Sequence, residues 1–216
     1  VSLTYPLDLL ANFPGTSTRF DLVPQIELDP TRNGKQISKD IGPELWEADY
    51  LTRVLSPNEM KFWKARLNSL HGESFIGYDL TAGYPILYPH GSWPTGLAFD
   101  GLAMLNSVSG NSKEISLSDL PSGFVGSVGD YLSFTYGTSR ALHQVSEEFF
   151  STGSGGTTDE FRVRPDIRPG YNLGSGGTVV LLVRAYAEMI VVPGSISAST
   201  DLTGRGQLSF TGRQTL

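Results

Sequence analysis

Apolar and polar residues alternate along most of this chain with the period of a β-strand, and one segment switches to the period of a helix. The stretch Phe20-Asp21-Leu22-Val23-Pro24-Gln25-Ile26-Glu27-Leu28 alternates over part of its length, with Pro24 marking an edge or a bulge. Arg32-Asn33-Gly34-Lys35 reads as a hairpin turn, so a second strand is expected to pair back from it. Trp46 to Val54 alternates again, burying one face while Glu47, Asp49 and Arg53 point outward.

The exception begins at Ser56-Pro57-Asn58-Glu59. Ser56 can cap the backbone N–H of Glu59, Glu59 can reach back to Ser56, and Pro57 occupies the first helical position, where its missing N–H costs nothing. Leu55 and Met60 are spaced for a hydrophobic staple, and Met60, Trp63, Leu67 and Leu70 fall on one helical face. The pattern predicts a helix over 57–70, ended by a left-handed Gly72, with a further strand at Ser74 to Asp79.

Between Thr81 and Asn111 the character changes to a Pro-rich, aromatic-rich connection carrying Tyr84-Pro85, Tyr88-Pro89-His90 and Ser92-Trp93-Pro94. Long connections of this kind are usually functional or interfacial. Short strands are expected at Glu114 to Leu117, Leu120 to Phe124, Val128 to Phe134, Ala141 to Val145 and Glu160 to Pro165. Gly153-Ser154-Gly155-Gly156 and Gly174-Ser175-Gly176-Gly177 read as loop tips, and strands return at Thr178 to Val192 and Gly206 to Gln214. Tyr5 to Phe13 precedes all of this as an arm broken by Pro14-Gly15.

The resulting expectation is a mainly β chain: a β-sandwich or barrel core with one amphipathic α-helix, plus an inserted small β-barrel or sandwich module. The N-terminal strands are too few to stand alone, so the core is assigned to residues 1–88 and 172–216 and the insertion to 89–171. With 25 glycines and 13 prolines the chain is punctuated as a turn-rich β protein should be.

Charge and rare residues narrow the chemistry. Sixteen Lys and Arg against 22 Asp and Glu give a net charge of −6, which argues against a generic nucleic-acid binder. No cysteine is present and only three histidines, His71, His90 and His143, without ligand spacing, so neither a thiolate nor a zinc site is expected. No apolar run approaches the roughly 18 residues of a spanning helix, and no basic-then-apolar leader is visible, so a soluble, untargeted chain without membrane insertion is expected. The carboxylate pairs Glu147-Glu148 and Asp159-Glu160 do not suit glycoside hydrolysis, because adjacent strand residues point to opposite faces. His143 reads as a core-edge or interface histidine, and neither glycine-rich stretch ends in the Lys-Ser or Lys-Thr of a phosphate loop. No catalytic residue, metal or cofactor is assigned.

The order of the pieces resembles a known family. Trp46 to Val54, the capped helix, the Gly72 break and Phe75-Ile76-Gly77-Tyr78-Asp79 are similar to the core of the distal tail proteins of long-tailed bacteriophages and prophages. Leu120 to Phe134 is similar to an insertion of phage tail proteins, and Val191-Val192-Pro193-Gly194 and Gly204 to Phe210 fit the strands that complete the core. The resemblance implies a structural virion protein, made in the host cytoplasm. Six copies form a ring joining the distal end of the tail tube to the tip or baseplate hub. Its partners would be further copies of itself, the tube protein and the tip or hub proteins, with DNA only in transit through the lumen. The insertion would face outward toward other tail proteins or, in some relatives, sugars; the resemblance does not by itself assign a host-surface glycan.

On this reading Tyr5, Leu7, Leu9 and Phe13 of the arm, with Phe62 and Arg66 of the helix, are expected to contact partners or neighbouring subunits. Tyr84, Tyr88, His90 and Trp93 form a candidate partner or ligand loop, with local packing as the alternative. Two other functions fit the sequence: a carbohydrate-binding β-sandwich that stacks sugars on Trp93 and Tyr88, or another tail ring component such as a tube or terminator protein.

Overall fold

The computed structural model describes residues 3–30, 32–94, 96, 98–153, 156–173 and 176–215. It is mainly β, with 47% of the chain in strands and 7% helical. The chain opens with a long antiparallel hairpin, β1 (Gly15–Pro30) and β2 (Gln36–Thr52), whose register runs from Gly15 opposite Thr52 to Pro30 opposite Gln36. Gly34 takes a left-handed conformation, φ 77°, in the turn between the two strands.

The helix α1 (Pro57–Asn68) follows and starts as the sequence predicts. The Ser56 hydroxyl accepts from the Glu59 N–H at 3.4 Å, and the Ser56 N–H donates to Glu59 Oε2 at 2.8 Å. It ends two residues before the predicted 70: the N–H of Leu70 already turns back to the carbonyl of Leu67, and His71 and Gly72 then both adopt positive φ. Met60, Trp63 and Leu67 are buried against the sheet.

That sheet has six strands. β3 (Phe75–Gly77), β13 (Ala187–Val191), β15 (Gly206–Gln214), β2 and β1 follow one another across it, and β14 (Ser197–Thr200) pairs with β15. Residues from the two ends of the chain thus share one core, in which Tyr50, Phe75 and Phe210 meet with ring centroids 5.1–6.3 Å apart.

Between β3 and β13 the chain builds a closed barrel of β4 (Leu102–Val108), β5 (Glu114–Ser118), β7 (Tyr131–Tyr136), β8 (Ser139–Val145), β11 (Phe161–Arg164) and β12 (Val179–Leu181). Closure removes the free edges that so short a set of strands would otherwise leave. A small sheet of β6 (Val125–Gly126), β9 (Phe149–Thr152) and β10 (Thr157–Thr158) caps it. Leu105, Ile115, Leu117, Leu132, Phe134, Val163 and Val180 fill a second hydrophobic core.

Three strand expectations change. Leu102–Val108 is a barrel strand inside what reads as a connection, Leu120 to Phe124 is a turn, and the expected strand from Thr178 to Glu188 is interrupted after Leu181. Its first part, β12, pairs with β4 and β7 and so lies in the barrel, while β13 belongs to the six-stranded sheet.

Candidate functional site

The two cores meet at Trp46. Its ring lies in the sheet's core, 5.3 Å from Phe20 and 5.5 Å from Tyr131 of the barrel, and its indole N–H donates to the carbonyl of Leu142 at 2.7 Å. A longer ion pair, Arg164 to Glu44 at 3.6 Å, spans the same junction. The sheet and the barrel are thereby fixed to each other.

Beyond this junction the hairpin leaves the body of the protein. Phe20, Leu22 and Trp46 at its root pack on the core, but the register shifts between Val23 and Ile26, and every described residue from Ile26 to Ile41 is exposed. Four of them are large and aliphatic: Ile26, Leu28, Ile37 and Ile41, with relative exposures of 46%, 54%, 55% and 62%. Ile26 and Leu28, opposite Asp40 and Ser38, lie on one face, whereas Ile37, opposite Asp29, lies on the other. Large aliphatic side chains are thus exposed on both faces of this ribbon, and β1 is the outermost strand of its sheet, which makes an open apolar surface.

The N-terminal arm is not such a surface. Leu7 and Leu9 are buried in this chain's own core, and Leu7 bridges Phe75 in parallel, donating to the carbonyl of Ser74 and accepting from the N–H of Ile76. The Tyr5 hydroxyl donates to the carbonyl of Ser69 at 3.1 Å, and Phe13 stands edge-on to Tyr50, Trp63 and Phe210. The partner that the arm was expected to need is the chain's own sheet and helix. Of the two helix positions, Phe62 is exposed at 59% and Arg66 is half-buried.

The aromatic loop divides. Tyr88 is buried, its hydroxyl accepting from the N–H of Val125 at 2.8 Å, and Trp93 packs on Tyr88, Phe99 and Phe124 with centroids 4.9–6.2 Å apart. These two therefore serve local packing. Tyr84 and His90 face outward, 6.0 Å apart, beside exposed Ile86 and Leu87. Asp130 anchors this loop: its carboxylate accepts from the N–H of Ile86 at 2.7 Å and of Ser127 at 2.8 Å. Burial raises the Asp130 pKa, and those two bonds hold the rise in check.

His143 is enclosed in the barrel, stacked on Phe134, with Nδ1 on the carbonyl of Pro165 and Nε2 on the Tyr136 hydroxyl. Burial pushes its pKa down to about 4, so the ring is neutral at pH 7. A neutral histidine whose two nitrogens are both occupied inside a core holds structure in place. Glu147, Glu148, Asp159 and Glu160 are exposed, and Glu160 accepts from the Ser107 hydroxyl at 2.9 Å. Among the described residues no group of three or more His, Asp or Glu side chains could hold a metal ion, and no helix is long and apolar enough to cross a membrane.

Of the expected contact residues, the structure leaves Phe62 at the surface on α1 and Tyr84 and His90 together on the aromatic loop. The four aliphatic residues of the hairpin were not singled out from the sequence. Their signal was available in Ile26 and Leu28 before the Asn33-Gly34 turn and Ile37 and Ile41 after it, apolar positions interleaved with charged ones on both sides of the turn. No protein-family profile matches this chain, and no curated protein sequence matches it either.

Proposed function

We propose that this chain is a structural, non-enzymatic component of a phage tail: a distal tail protein, six copies of which form a ring between the tail tube and the tip or baseplate hub. The observation that carries the reading is the hairpin, whose outer half exposes Ile26, Leu28, Ile37 and Ile41 to solvent. Four aliphatic side chains on a projecting, open-edged ribbon are a liability in a monomer and an asset in an assembly. A ribbon that leaves one side of a subunit makes a heterologous contact, and heterologous contacts close into rings when their rotation closes.

The tube protein would meet one face of the ring and the tip or hub proteins the other, with the barrel outward. A net charge of −6 suits a lumen through which DNA passes without adhering. Such a protein would reside in the virion after synthesis in the host cytoplasm. Sugar stacking on Tyr88 and Trp93 has less to rest on, since Tyr88 is buried and Trp93 is packed on three other rings.

The test is sedimentation velocity of the chain and of an Ile26→Asp, Leu28→Asp variant. Both positions are exposed, so the fold should survive, as circular dichroism would verify. A discrete oligomer that the variant loses is the expected result. An oligomer of unchanged size in the folded variant would remove the hairpin from the interface.

A further inference from the structure

Where the β7–β8 end of the barrel meets the end of β15, three parts of the chain enclose a small recess of about 160 Å³. Tyr136, Ser139 and Arg140 come from the barrel, Arg168 and Pro169 from the segment after β11, and Thr215 from the end of β15. Backbone bonds hold these walls in place: the N–H of Gly137 donates to the carbonyl of Gly170 at 3.0 Å, and that of Thr215 to the carbonyl of Glu188 at 2.9 Å. The volume is well below the roughly 300–1,000 Å³ of sites for drug-sized ligands, so the recess suits an ion or one small group.

Its charge is one-sided. Arg140 and Arg168 are both half-buried, no acidic side chain lines the recess among the described residues, and neither arginine joins an ion pair there. The guanidinium of Arg140 is held in position: Nη1 donates to the carbonyl of Ser133 at 3.3 Å and to its hydroxyl at 3.4 Å, and Cζ lies 4.9 Å from the centre of the Tyr186 ring. Those hydrogen bonds engage one of its three nitrogens. The charge of Arg168 favours the anionic form of Tyr136 and disfavours the cationic form of His143, so it acts at the same end of the barrel. Glu188 feels Arg140 without pairing to it, and Asp166 lines a separate recess beside Arg164.

Two like charges beside one recess repel each other until an anion enters. We propose that the recess binds a dianionic phosphate group between Arg140 and Arg168, as the free ion or as the terminal group of a small phosphomonoester. Two guanidinium forks call for three or four acceptor oxygens on one centre, which a phosphate presents and a carboxylate, with two, does not. Two positive charges also match a dianion better than the single charge of a phosphodiester. The inference is independent of how many copies of the chain assemble.

The test is isothermal titration calorimetry of the full chain at constant ionic strength and about pH 7.5, above the second phosphate pKa of about 6. Inorganic phosphate should bind saturably, one per chain, with acetate and dimethyl phosphate at least about tenfold weaker. Arg168→Gln and Arg140→Gln, checked for folding by circular dichroism, should each weaken phosphate binding at least about tenfold. Arg162→Gln, which removes an exposed arginine outside the recess, should leave it unchanged. Glycerol 3-phosphate separates the two sources: affinity at least equal to that of phosphate assigns the recess to a monoester, and weaker binding assigns it to the free ion. No saturable binding to the native chain, acetate or dimethyl phosphate binding as tightly as phosphate, or an equal loss in Arg162→Gln would each overturn the proposal. The comparison of ligands on the native chain decides it even where a variant does not fold.

Discussion

The indole N–H of Trp46 donates to the carbonyl of Leu142 at 2.7 Å, joining residues 96 apart in sequence and tying the N-terminal sheet to the barrel. Both are buried, at 1% relative exposure, so neither group can turn to water if the other is removed. Replacing Trp46 with Phe keeps an apolar ring and strands the carbonyl, at a cost of about 1–3 kcal/mol before any loss of packing is counted. Denaturant unfolding of Trp46→Phe should therefore show a lower midpoint. An unchanged midpoint would mean that the junction is held by the surrounding rings alone.

Asp130 does for the aromatic loop what Trp46 does for the junction. Its carboxylate is the acceptor for two backbone N–H groups, and hydrogen bonds to a charged group are each worth about 1.5–3 kcal/mol. Asp130→Ala should destabilise the protein by a few kcal/mol and expose the segment around Ile86 to limited proteolysis. Cleavage elsewhere, with the loop intact, would show that the aromatic packing of Tyr88 and Trp93 suffices to hold it.

His143 and Glu59 make stability fall on acidification, in successive windows. His143 has its pKa lowered from 6.5 to about 4, so the unfolded chain takes up a proton first as the pH drops through that interval. At about 1.4 kcal/mol per pH unit the loss is about 3 kcal/mol, complete near pH 4. Glu59, held near 2 by its bonds from the Ser56 backbone, Arg53 and the Ser56 hydroxyl, adds a second loss between its ordinary 4.5 and that value. Asp130 runs the other way, since a raised carboxylate pKa favours the folded state as the pH falls toward 3.8. Stability measured from pH 7 to 4 should decline in the native chain and lie flatter in His143→Gln. Parallel curves would assign the slope to other groups.

What was legible in the sequence was local. The Ser56–Glu59 capping box lies within four residues, and the structure forms both of its bonds. Asn33-Gly34 likewise announces the hairpin turn, and Phe20 to Leu28 and Trp46 to Thr52 lie in its two strands. What was not legible depended on a remote partner. β14, Ser197–Thr200, is exposed throughout and has no apolar alternation; it is a strand because β15 offers it an edge. Leu7 and Leu9 look like a free arm until Phe75 arrives from beyond the helix to pair with it. Tyr88 and Trp93 look like a binding surface until Phe124 and Phe99 pack on them. The exposed hairpin residues were missed for the converse reason: alternation promises a buried face, and none of the described elements covers either face of the outer hairpin.

The most direct measurement is native mass spectrometry of the purified chain over a range of concentrations, with negative-stain images of the same sample. A hexamer with a central opening is predicted, and the Ile26→Asp, Leu28→Asp variant should return it to protomers. A monomer at every concentration, and still in the presence of the tail-tube protein, would contradict the account, because exposed aliphatic side chains on both faces of the hairpin would then have no subunit to cover them.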